Sequence, residues 1–125
     1  MREDLITLAE RELNEVATLL NESFCDDGLV FHHLRNGVLY LLKALAEEYN
    51  LDYEGIESIS DLVALIERKT TVKFPEYMQS IIDLEDIMVP DDCTTSICYD
   101  PEMYGDILDA VENLKEFVEK EIESL

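Results

Sequence analysis

Four side chains able to hold an anion or move a proton stand close together in the sequence: His32, His33, Arg35 and Lys43. An imidazole changes charge near neutral pH. A guanidinium forks onto a phosphate or carboxylate, and an ammonium serves as a compact point charge. On a helix, His32 and Arg35 share a face because they are three apart. His33 then stands about 100° round from His32, so the two rings cannot point the same way. One reading is a small anion or nucleotide pocket built from His32, His33, Arg35 and Lys43. The other is structural: Arg35 and Lys43 pair with acids on neighbouring helices, and one histidine packs at a bundle or dimer interface. Spacing alone leaves both open.

Other chemistry has thinner support. His32 with Cys25 and Asp26 or Asp27 is a mixed set without a standard zinc spacing. Asp91-Asp92-Cys93 adds nothing more specific, so neither a metal nor a cofactor is expected. Cys25, Cys93 and Cys98 form an odd set with no C-x-x-C pair. They read as reduced thiols of a cytoplasmic protein, with closure of a small Cys93–Cys98 loop as the alternative. The carboxylates are too numerous for any pair to stand out as acid and base. The tyrosines are scattered and lack the basic groove that a stacking platform for nucleic acid needs.

That surplus of carboxylates is the dominant feature of the composition. The 125 residues carry 30 Asp and Glu against 9 Lys and Arg, a formal charge of −21. Autonomous binding of DNA or RNA is disfavoured, because phosphate affinity rests on basic contacts. An anionic membrane surface is disfavoured for the same reason. A basic protein is the complementary partner. Adaptation to high salt is a further reading of the acidity. The charged start, Met1-Arg2-Glu3-Asp4, does not resemble a signal peptide, and no apolar run is long enough to span a bilayer. With 47% hydrophobic residues, the chain reads as one globular domain over residues 1–125.

The elements that must position the cationic cluster are helices. Ile6, Ala9, Leu13, Val16, Ala17 and Leu20 recur at helical spacing over residues 2–21. Residues 29–49 are helical and apolar almost all round, which marks a central helix or one that also meets another subunit. Gly37 weakens that helix by about 1 kcal/mol relative to Ala, and close approach of a neighbouring helix would compensate. Ser58 or Ser60 can cap a short helix that ends near Arg68. Pro75 suits the first turn of a fourth helix, which Pro90 stops. Asp100-Pro101 is a cap followed by a first-turn proline, and opens a last helix with Ile107, Ala110, Val111, Leu114, Phe117 and Val118 on its stripe. No hairpin signal is present. The fold class expected is all-α, an antiparallel up-and-down bundle of four or five helices.

Two segments carry a family resemblance. One is His33-Leu34-Arg35-Asn36-Gly37-Val38-Leu39-Tyr40-Leu41-Leu42-Lys43-Ala44-Leu45. The other is Tyr99-Asp100-Pro101-Glu102 leading into the last helix. With the order of long and short helices, they make the chain resemble the HEPN domain family, most of all its small prokaryotic stand-alone members. The resemblance implies a helical bundle that usually forms a homodimer. Many such relatives act with a minimal nucleotidyltransferase as a toxin–antitoxin pair or as its substrate-binding subunit. Others are metal-independent ribonucleases, whose signature is Arg, four to six residues, then His, near the start of the last long helix. There the histidine would take the proton of the ribose 2′-hydroxyl and the arginine would hold the phosphate.

The sequence departs from the family at that motif. Residues 74–125 contain neither Arg nor His, and the nearest Arg before His32 is Arg11. The expectation is therefore a non-catalytic, homodimeric interaction module that partners a nucleotidyltransferase or another basic protein. The alternative is a degenerate ribonuclease using His33 and Arg35 without metal.

Overall fold

In a computed structural model, the backbone is described for residues 2–22, 25–26, 29–88, 97–98 and 101–124, and side chains for 5–22, 29–83, 85 and 105–124. Among these residues there are five helices: α1 (Arg2–Glu22), α2 (Leu29–Glu48), α3 (Ile59–Lys69), α4 (Tyr77–Met88) and α5 (Pro101–Glu123). The all-α expectation holds, and the helix boundaries fall within a residue or two of those read from periodicity.

Each terminus has a local cause. The α2 helix stops because Asn50 adopts a left-handed conformation, φ 58°. This lets Leu51 N–H donate to Ala46 O and Asn50 N–H to Glu47 O, both at 3.0 Å. Asparagine tolerates that conformation better than branched residues do, and the paired bonds are those of a Schellman cap. The α3 helix starts at Ser58, whose extended backbone and side-chain oxygen cap the helix by accepting Asp61 N–H at 3.4 Å. Pro75 sits just ahead of α4, and its carbonyl accepts Met78 N–H at 3.0 Å. Pro101 opens α5 as expected. Its partner in that reading, Asp100, lies outside the described residues, as do Pro90 and Cys93.

One element has no trace in the local pattern. Strands β1 (Cys25–Asp26) and β2 (Ile97–Cys98) pair antiparallel, with Cys25 opposite Cys98 and Asp26 opposite Ile97. They tie the α1–α2 connection to the α4–α5 connection. Two residues are too few to show alternation, and partners this far apart in sequence leave no hairpin signal.

The α2 helix is the axis of the domain, packing on α1, α3, α4 and α5. Leu34, Leu41, Leu42 and Leu45 are fully buried on it, and Val30, Phe31 and Leu39 are buried as well. Full burial of such a side chain stabilises by about 1.5–3 kcal/mol. Its apolar character is thus largely consumed within the chain, with Leu29 at its start left exposed. A single core joins Ala9 and Val16 of α1, Leu62 and Ile66 of α3, Ile81 of α4, and Val111, Leu114 and Val118 of α5 to these residues. No described polar or charged residue is buried, so the core carries no desolvated charge. Ala17, expected on the buried stripe of α1, is exposed. That helix packs against α2, and one neighbour covers a narrower stripe than two would.

At Gly37 a side chain of α1 packs directly against the α2 backbone. A Cβ there would stand 3.0 Å from Leu13 Cδ2 and 3.6 Å from Ala9 O. The missing side chain therefore admits Leu13, which is the compensation expected for a glycine inside a helix.

Candidate functional site

All four cationic candidates lie on α2, yet they face three different ways. His33 points at α1, where its Nδ1 pairs with Glu12 Oε2. His32 is exposed and meets Asn36 one turn on, with Nε2 at 3.3 Å from the amide nitrogen. The two imidazoles touch edge to face, their centroids 5.6 Å apart and their planes at 68°. This is the divergence that their adjacent positions dictate.

Arg35 and Lys43 face the other way, toward the start of α3. Arg35 Nη2 donates to the Glu57 backbone carbonyl, and it also lies 3.4 Å from Glu85 Oε2 on α4. Lys43 Nζ donates to both carboxylate oxygens of Glu57, at 3.1 and 3.2 Å. Glu57 is thus gripped at its backbone by one cation and at its side chain by the other. Arg35 Nε is buried and has no hydrogen-bond partner. A buried donor left unmet costs on the order of 1–3 kcal/mol, which the bonds made by Nη2 offset.

Glu85 completes this junction. Its carboxylate accepts Ile59 N–H at 2.7 Å and the Ser58 hydroxyl at 3.2 Å. The first donors of a helix point outward unsatisfied and carry partial positive charge, so an anion is stabilised there. An acid of α4, a cap of α3 and a base of α2 therefore meet at one point.

Sequence reasoning named the bases but not their acids. Glu12, Glu57 and Glu85 are three among thirty carboxylates, and nothing local distinguishes them. The serine cap was the one legible signal, with Ser58 rather than Ser60 taking the role. His32 and Arg35, expected to share a face, do not act together. His32 faces solvent while Arg35 is drawn under Glu85. Among the described residues no group of His, Cys, Asp and Glu is placed to hold a metal ion. Cys25, Asp26 and Asp27, named in the one zinc arrangement considered, lie outside the described side chains.

A further cation joins the ends of the chain. Lys115 of α5 reaches Glu10 of α1 at 3.5 Å and Glu119 on its own helix at 3.9 Å. No helix is long and apolar enough to cross a membrane among the described residues.

A family model described as HEPN domain matches residues 2–122. The chain belongs to the HEPN domain family. No curated protein and no solved structure matches it significantly. From residue 74 onward, which includes all of α5, this HEPN domain has neither Arg nor His. Its HEPN histidines sit instead on α2, one of them engaged with α1.

Proposed function

We propose that this HEPN domain is a non-catalytic interaction module. It forms a homodimer and partners a minimal nucleotidyltransferase, in a toxin–antitoxin-like pair or as the nucleotide- or substrate-binding subunit. The absence of Arg and His from residues 74–125 carries the non-catalytic part. The charge of −21 supports a basic partner, since opposite charge raises the rate of encounter. Family resemblance supports the dimer. Sedimentation at micromolar concentration and co-purification with a minimal nucleotidyltransferase from the same cell test the two halves. A monomer that retains no such enzyme would remove the proposal.

A nucleotide-binding role has a specific requirement. Arg35 and Lys43 would have to exchange Glu85 and Glu57 for phosphate. Calorimetric titration with nucleoside triphosphates would then detect binding that Arg35→Ala and His33→Ala abolish. No heat, or heat indifferent to both variants, removes that role.

One observation favours the ribonuclease alternative. The Glu12 carboxylate orients the His33 ring through Nδ1, the arrangement that prepares an imidazole to act as a base through its other nitrogen. Incubation of the purified dimer with RNA in the absence of metal decides it. Cleavage no greater than that by His33→Ala would eliminate the reading.

A further inference from the structure

We propose that the cleft between α3 and α4 is a slot for one long cationic side chain of a basic protein partner. The basic partner is taken from the function proposed above, and the slot narrows it to a chemical group and a place. The cleft holds about 200 Å³, less than the ~300–1,000 Å³ of sites that enclose a small organic molecule. It is the size of a side chain rather than of a free ligand.

Its lining has two parts. Val63, Met78 and Ile82 make an apolar floor, with Phe74 beside them and Glu67 and Glu76 at the mouth. Val63 and Met78 are buried and Phe74 is half-buried. The Phe74 ring leans on Phe117 of α5, with centroids 5.4 Å apart, so its orientation is set by packing. The Glu67 carboxylate accepts the Phe74 backbone N–H at 3.1 Å. That bond holds the charge at the mouth. Among the described residues no Lys or Arg lines the cleft.

An apolar floor, an aromatic ring and an anchored carboxylate suit an arginine or lysine. The methylene stem covers the floor while the charged head stays at the rim. The ring attracts the cation through its quadrupole, and the carboxylate pairs with it. A neutral apolar side chain would desolvate two acids without return, and an anion would be repelled by both.

The slot is tested without the partner, by titrating n-butylguanidinium into the isotopically labelled protein and following amide chemical shifts. Saturable shifts centred on Val63, Phe74 and Met78 are expected, with none from the neutral isostere n-butylurea. Glu67→Gln keeps an acceptor for Phe74 N–H and should weaken binding about tenfold, as loss of a charged partner does. Glu76→Gln, at the rim, should weaken it about threefold by the same argument, and it decides the matter if Glu67→Gln does not fold. Shifts spread evenly over the acidic helix faces, equal binding of n-butylurea, or affinity unchanged in the folded variants would overturn the slot. Failure of a nucleotidyltransferase to bind would instead count against the proposed function, and leaves the slot standing wherever the probe binds.

Discussion

The Glu85 carboxylate lies 2.7 Å from the backbone nitrogen of Ile59, so α4 caps α3 from outside. Through the same group α4 also holds Arg35 of α2, at 3.4 Å. One acid therefore ties three helices together, and its side chain is largely buried, 13% exposed. Removing it would strip a helix cap and leave a shielded guanidinium with less compensation.

Glu85→Ala should lower stability by about 1–3 kcal/mol in denaturant unfolding, combining cap loss with an unsatisfied charge. Glu85→Gln keeps the acceptor and should lose roughly half as much. A neutral Glu85→Ala would show that Ser58 alone suffices as the cap.

The two glycines inside helices should answer oppositely to alanine. At Gly105 of α5 a Cβ meets nothing within 4 Å, so Gly105→Ala should stabilise by about 0.5–1 kcal/mol through helix propensity. At Gly37 the same gain is opposed by Leu13 Cδ2 at 3.0 Å. Gly37→Ala should therefore gain nothing, and Gly37→Val should destabilise by about 1–3 kcal/mol through overpacking. Thermal midpoints of the three variants settle the order.

Alkali should unfold the protein through its tyrosines. Burial raises the phenol pKa values of Tyr49, Tyr53 and Tyr77. Carboxylates add to the effect: Glu121 beside Tyr49, Glu47 bonded to Tyr53, and Glu116 beside Tyr77. The unfolded chain loses these protons near pH ~10 while the native chain keeps them. Their contribution is fully present below that pH and is lost as pH rises through the native values. Stability followed with tyrosinate absorbance should fall above pH ~10, and less steeply in Tyr53→Phe. An unchanged slope in that variant would exclude Tyr53 as a source.

Salt should raise the thermal midpoint. At a charge of −21 the native chain repels itself. Going from 10 mM to physiological ionic strength shortens the screening length from about 30 to about 8 Å. An increase that levels off in this range fits simple screening. Unfolding on dilution into low salt, with recovery only at molar salt, would instead identify adaptation to a saline interior.

The helices and most of their ends were legible in the sequence, because each depends on residues within one or two turns; the close approach was signalled by Gly37 itself, though not its partner Leu13. The apolar period of α2 marked it as central from its own side chains. The lack of Arg and His after residue 73 was equally plain. Tertiary packing decided the rest. His33 turned to Glu12, while Arg35 and Lys43 turned to Glu57 and Glu85, because each pairing depends on how neighbouring helices are placed against α2. Among thirty acids no local rule selects those three. The same packing covered most of the apolar surplus of α2 with the chain's own helices and joined Cys25 to Cys98 in a two-residue ladder. Periodicity specifies which face of a helix is buried, but the partner that buries it is set by contacts between segments far apart in the chain.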